Sequence, residues 1–271
     1  MHRFQRLRFY VLLCSALLLT LIAFLGPVLA PEDPNAIDLG RLRHPPDDRN
    51  LFGTDILGRD MLSRVLYGAR NSFALTFMMV LIVAFIGTAV GITAGYIGGA
   101  VNSAVMQISD VMLAFPTVVF AIAVCGLWGP GIYRTLAALA MVSWAKYARM
   151  TGGLIAEIRS REYVTQALFA GARWYHILLK YLLPNILPQI VVITTSDIGE
   201  MMIMLSMLSF LGLVNQPYAP EWGSMLADNR GFLMTYPYLF IFPAMALLLI
   251  VVVFNLLGDS LRDILDPKEK R

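Results

Sequence analysis

Six stretches of the chain stay apolar for about 20 residues, the length a helix rising ~1.5 Å per residue needs to cross a bilayer. They run from about Phe9 to Ala30, Phe73 to Ile97, Val101 to Leu127, Ile132 to Met150, Ile186 to Leu213 and Tyr238 to Leu257. Pro27 and Pro31 end the first, while Arg134 and Lys146 narrow the apolar centre of the fourth. Lipid offers no partner to a bare N–H or C=O, so each stretch must be helical. The pattern predicts an all-α, polytopic membrane protein of six transmembrane helices. The basic start (Arg3, Arg6, Arg8) also suits a signal peptide. The first apolar run is longer than a cleaved h-region, however, and Pro27 stands where small residues should precede cleavage. It reads as a retained anchor.

Three segments between the spans carry patterns of their own. In Asp55–Arg70, Ile56, Leu57, Met61, Leu62, Val65, Leu66 and Ala69 recur at helical spacing, with Thr54 placed to cap the first turn. Asp55 and Arg59, and Asp60 and Arg64, stand four apart on the other side. The segment reads as an amphipathic helix on the outer face, either steering the chain into the second span or forming a collar around a vestibule. Between Thr151 and Pro184, Tyr163, Val164, Ala167, Leu168 and Gly171 form one side of a short helix beginning near Arg161. Gly171–Ala172 breaks it, and Trp174–Leu183 can form a second, which Pro184 ends. This basic helix–turn–helix suits docking into a groove on a partner or, alternatively, a hairpin lying in lipid. The outer loop from Val214 to Pro237 holds Pro217, Pro220 and Pro237 with Tyr218, Trp222 and Tyr236: a membrane-surface anchor, a docking surface or a gate. The chain thus divides into residues 1–70, an anchor helix plus outer loop, and residues 71–271, a five-helix core carrying loops 151–185 and 214–237.

Composition sharpens this reading. Of the 271 residues, 58% are hydrophobic and 14% charged, against roughly 45–50% and about 25% in an ordinary soluble domain. That speaks against both a soluble enzyme and a disordered chain. The net charge of +3 comes without a basic block, so nucleic acid is not a partner. Cys14 and Cys125 sit inside apolar runs as small hydrophobes rather than a disulfide or metal clip. Lys and Arg concentrate in the amino terminus, the 146–180 region and the tail (Arg262, Lys268, Lys270, Arg271), which places both termini in the cytoplasm. The chain has no G-x-x-x-x-G-K-[ST], H-E-x-x-H or G-x-S-x-G string, and its three histidines lie outside the spans. No catalytic residue, cofactor or metal ligand is assigned, and any ATP hydrolysis belongs to another polypeptide.

FGTDILGRDMLSRVLYGAR (Phe52–Arg70) resembles the FGTD-x-LGRD-x-x-SR-x-x-x-GAR signature of one permease subunit of bacterial peptide/nickel ABC importers. DVMLAFPTVV from Asp110, REYVTQALFAGA (Arg161–Ala172) and LLPN (Leu182–Asn185) also look like parts of that family. So do MLSFLGL (Met207–Leu213), APEWGSML (Ala219–Leu226) and FNLLGDSLRDILDP (Phe254–Pro267), all in the family's order. The resemblance implies a type I ABC importer permease in the bacterial inner membrane, without an ATPase site of its own. Its partners would be a homologous permease, two cytoplasmic ATPases and an extracytoplasmic binding protein. The family's coupling loop docks in an ATPase cleft. Here that role falls to Arg161, Glu162, Tyr163, Val164, Thr165, Gln166 and Ala167, then Gly171 and the helix up to Pro184. The family's EAA triplet is replaced by Thr165–Gln166–Ala167, so its Glu contact does not carry over, and its His before the LPN-type ending is Tyr181.

Asp110, Asp197 and Glu200 are ionisable residues inside apolar spans, where a charge costs at least ~2.5–3.5 kcal/mol. Asp197 and Glu200 share a helix face, near Met201 and Met204. They form a candidate translocation path or gate, or else a polar contact with the partner permease or neighbouring helices. Asp110 belongs nearer the cytoplasmic surface, and Pro116 kinks its helix. WAKYARM (Trp144–Met150) and DIGEMM (Asp197–Met202) resemble nickel permeases, so the expected cargo is nickel, free or chelated, with dipeptides or oligopeptides as the alternative. A membrane enzyme or a stand-alone channel fits less well.

Overall fold

A computed structural model describes residues 2–214 and 219–265. Its helices are α1 (His2–Leu29), α2 (Met61–Ile97), α3 (Gly99–Ala114), α4 (Thr117–Trp128), α5 (Ile132–Arg159), α6 (Glu162–Phe169), α7 (Trp174–Ile177), α8 (Leu183–Phe210), α9 (Trp222–Asn229) and α10 (Tyr238–Leu265). No strand occurs among the described residues, only an isolated bridge between Thr54 and Asp60.

Glycines set which helices lie closest. Gly87, Gly91 and Gly95 recur every four residues along one face of α2. A Cβ on any of them would come within 3.0 Å of α5, at Trp144, Thr151 and Gly152 respectively. Gly199 of α8 is similarly filled by Asn255 of α10, and Gly258 of α10 by Ser196 of α8. Helices gain little from hydrophobic burial against one another in lipid, and small residues let backbones approach instead. The bundle therefore contains two tightly apposed pairs, α2/α5 running parallel and α8/α10 antiparallel. α1 lies along α2 and α10, with Gly26 against the Leu66 backbone. The main apolar core runs through these helices and includes Phe73, Val83, Leu139, Tyr147, Leu205, Trp222 and Phe254. A separate, smaller core gathers Ile155, Ile158, Val164, Ile177, Leu182 and Ile186 where α5, α6, α7 and α8 meet. Tracing the helices places His2 and Leu265 at the same end of the bundle as this second core.

Among the described residues, four segments are long and apolar enough to cross a membrane: Phe4–Leu29, Met61–Ile97, Trp174–Phe210 and Tyr238–Leu265. The expected third span is broken: α3 and α4 meet at 86° across Phe115–Pro116, and the pair counts as one further span if taken together. Pro116 has no N–H and forces the residue before it out of the α region; Phe115 duly has ψ 135. α5 is long enough but too polar to meet the same test, and it packs against α2, α3 and α4. Pro27 is accommodated inside α1 rather than ending it.

The expected outer amphipathic helix is not a separate element. Residues 55–60 form a turn, and Asp60, not Thr54, caps α2 by accepting from the Ser63 amide at 2.7 Å. Met61–Arg70 is simply the start of α2, which runs on without a break. The polar run Arg70–Asn71–Ser72 looked like a boundary but is served internally. Asn71 donates to the Pro220 carbonyl at 2.7 Å, and Ser72 to Glu221 at 3.2 Å. A domain boundary at 70/71 consequently falls inside one helix. Of the two expected i,i+4 pairs, Asp55–Arg59 forms at 2.7 Å. Asp60 instead takes the Asn50 amide, and buried Arg64 donates to the Pro34 carbonyl at 3.1 Å and lies 3.4 Å from Asp55.

Candidate functional site

The 160–182 segment is pinned on one side and bare on the other. Val164 of α6 and Ile177 of α7 are fully buried in the second core, anchoring the segment to the ends of α5 and α8. Arg161, Glu162, Tyr163 and Gln166 are exposed, and Thr165 and Ala167 half-buried. Phe169 is 88% exposed and Trp174 62%, an unusual placement for large aromatics unless another surface covers them. Glu157 accepts from Arg161 at 2.9 Å, and this bond, with the carboxylate's charge, holds the guanidinium above its ordinary pKa. Gly171 sits at φ +81 in the left-handed region, so the chain reverses between α6 and α7 without strain. The side chain of Leu168 lies outside the described residues; of the rest of the expected apolar face, Val164 alone is fully buried, and Gly171 is exposed.

Pro184 does not end a helix. It occupies the first turn of α8, and a π turn over Leu178–Leu182 joins α7 to α8, the Leu183 amide bonding back to Leu178. A proline in a first turn removes no needed donor, so the chain passes straight from the loop into the span.

The two acids of the expected path meet on Lys146, a basic residue within the fourth apolar run. Lys146 of α5 donates to Asp197 at 2.6 Å and to Glu200 at 3.1 Å. The Asp197 side chain is 2% exposed, that of Lys146 42%, and Glu200 is half-exposed. Tyr147, also buried, brings its hydroxyl beside Asp197 and Thr194. A charge so deep in a bundle is tolerable only when paired. The signal available in the sequence was a lone Lys at the apolar heart of a span, which asks for a carboxylate on a neighbouring helix. Met201 is buried in the main core and Met204 packs against it, so these two support the helix rather than joining the charged cluster. A cavity of about 440 Å³ opens beside Lys146 and Asp197, lined also by Met150, Gln189, Ser196, Asp259 and Arg262. Asp110 of α3 forms an ion pair with Arg149 of α5, both half-exposed. Among the described residues no cluster of three metal-binding side chains exists.

At the opposite end Trp222, expected on a docking surface or gate, is 2% exposed. Its indole N–H donates to the Val65 carbonyl at 3.0 Å, which ties α9 to α2. Glu221, before it, is a buried cap that the sequence reading missed although an acid directly before Trp–Gly at a helix start signals one. It accepts from the Gly223 and Ser224 amides at 2.9 Å, from Ser72 at 3.2 Å and from Ser209. Helices α2, α8 and α9 are joined at this one carboxylate. Pro217 lies outside the described residues, as does Tyr218. Farther out, Asp47 accepts the Asn50 amide at 2.7 Å and the Arg41 guanidinium, which hold its carboxyl below the usual range.

The model of the family described as the binding-protein-dependent transport system inner membrane component matches residues 87–271. The chain belongs to that family. The matched part begins in the last third of α2 and takes in the charged cluster and the 160–182 segment, and the arrangement of helices is the type I ABC permease fold. Over 255 residues the chain is 42% identical to a glutathione transport system permease protein of Pectobacterium atrosepticum, covering 94% of this chain and 85% of the relative. It is 39% identical over 251 residues to a nickel transport system permease protein of Escherichia coli, covering 92% and 90%. A dipeptide transport system permease protein of Haemophilus influenzae is 37% identical over 261 residues, covering 94% and 88%. These relatives are transport subunits rather than enzymes, and their identities lie too close together to single out one cargo.

Proposed function

We propose that this chain is the permease subunit of an ABC importer, paired with a homologous permease, fed by an extracytoplasmic binding protein and driven by two cytoplasmic ATPases that hold the ATP. Both termini and the 160–182 segment lie in the cytoplasm. The observation that carries this reading is the construction of that segment. Val164 and Ile177 fasten it to the feet of α5 and α8, while Tyr163, Phe169 and Trp174 face outward. A partner that seizes the aromatic side moves two long helices at once. Glu162, Thr165, Gln166 and Ala167 belong to the docking element, and Gly171 sets its turn.

The cargo we propose is nickel, free or chelated, supported by the resemblance of Trp144–Met150 and Asp197–Met202 to nickel permeases and by the nickel-named relative. A permease of this kind passes its cargo without a tight site, because strong binding would slow release. A second reading, short peptides, is favoured by Lys146: it already neutralises one of the two carboxylates, leaving a mixed-charge rather than an anionic path. Uptake of radiolabelled nickel in cells with and without the gene, with excess dipeptide as competitor, separates the two. Nickel uptake lost on deletion, restored by the gene and indifferent to dipeptide is the expected result. Unchanged nickel uptake in a strain lacking other nickel importers overturns it in favour of peptide.

A further inference from the structure

Lys146 connects two halves of the membrane body that are each locked by other means. Gly87, Gly91 and Gly95 seat α5 on α2, and Gly199 and Gly258 seat α8 against α10, with no room for a side chain at any of the five contacts. Interiors packed this closely do not deform smoothly, so each pair moves as a unit. The link from Lys146 to Asp197 and Glu200 is the one ion pair between α5 and α8 among the described residues. It lies roughly 20 Å from the loop end of either helix, at ~1.5 Å per residue.

Its level in the bundle matters as much as its chemistry. Below it, toward the 160–182 segment, the second core binds the feet of α5 and α8 to α6 and α7. At its own level and above it lies the main core, with Tyr147 and Ile198 among its buried members. Apolar side chains slide past one another at little cost, whereas an ammonium on a carboxylate as buried as Asp197 has a preferred geometry and few substitutes. A displacement entering at α6 travels up two helices and meets this polar link at the border between the cores. The cavity beside it, lined by Asp259 and Arg262, leaves room for the Lys146 head to swing away without clashing. Of the charges lining that cavity, Asp259 would attract the ammonium and Arg262 repel it.

We propose that Lys146 is a positioning residue for transport: it holds the α2/α5 and α8/α10 pairs in the resting arrangement, and its transfer off Asp197 accompanies opening. This rests on the importer reading above, since it takes the 160–182 segment as the point where force enters. The full complex, with its partner permease and both ATPases reconstituted in lipid, is assayed for ATP hydrolysis with and without the binding protein. Lys146→Met should raise hydrolysis in the absence of binding protein by about fivefold or more, the scale of a modest coupling energy between sites. Exchanging the charges, Lys146→Asp with Asp197→Lys, should bring it back toward the wild-type rate, which a merely space-filling role would not do. Glu200→Gln removes the half-exposed arm with little risk to folding and should shift the rate in the same direction by a smaller factor. If Lys146→Met fails to assemble, Asp197→Asn and Glu200→Gln carry the test. Wild-type rates in these variants, or a charge exchange as deregulated as the single change, would overturn the proposal. A wild-type complex whose hydrolysis ignores the binding protein would instead overturn the importer reading itself.

Discussion

At Gly171 the backbone adopts φ +81 with open space on every side, so a new side chain there meets no neighbour and is penalised through conformation alone. A β-branched residue in the left-handed region costs roughly 1–2 kcal/mol. Gly171→Val should therefore tilt α6 relative to α7 and uncouple ATP hydrolysis from uptake, while the protein still reaches the membrane. Immunoblotting of membranes beside an uptake assay checks this, and wild-type transport would count against docking. Glu221 is the opposite case, a side chain with every oxygen in use. Glu221→Gln puts an NH2 where an acceptor is required and leaves buried donors facing a donor. The expected loss is about 2 kcal/mol, read as a lower unfolding midpoint of the purified protein.

Among the helices, close approach is the organising fact. Gly91→Leu would place a branched side chain where Thr151 and Ala148 already stand, and overpacking of this kind costs typically 1–3 kcal/mol or more. It should part α2 from α5 and lower the yield of folded protein in detergent, measured by size-exclusion chromatography. Gly153, with nothing near it, should tolerate Ala. These contacts show why the sequence was legible in part. The apolar runs located α1, α2, α8 and α10, because a span must be apolar whatever it packs against. Where α2 began was hidden, since Asn71 and Ser72 look like a loop until Pro220 and Glu221, some 149 positions away, accept their hydrogen bonds. Pro184 looked like a terminator because its first-turn place in α8 depends on a π turn that no local pattern announces. Lys146 was visible as a charge within the fourth apolar run, but its partners were not, because they lie on another helix. Asp197 and Glu200 were recognisable from the cost of a charge in lipid, whereas Trp222 was visible only as an aromatic. Its burial depends on α2 passing underneath.

For the molecule as a whole, sidedness is the claim most open to direct measurement. Phe169 and Leu39 are both exposed, at opposite ends of the bundle. In a Cys14→Ser background, with buried Cys125 left in place, Phe169→Cys should react with a membrane-impermeant maleimide only in inside-out vesicles, and Leu39→Cys only in intact spheroplasts. Labelling of both from one side would contradict the assignment of the termini and the 160–182 segment to the cytoplasm. A groove of about 560 Å³ between α2 and α8 is lined by apolar side chains, among them Phe77, Phe85 and Leu187. One last property belongs to α2. Its 37 unbroken residues make a rod about 55 Å long at ~1.5 Å per residue, well beyond the hydrocarbon thickness. One end is clasped by the Trp222 indole and the Asp60 cap, and the other reaches Arg159 beside the 160–182 segment. Pivoting about the clasped end, a tilt of about 10° carries the far end about 10 Å at that length. A single continuous helix of this length is thus stiff enough to carry a displacement at one face of the membrane through to the other.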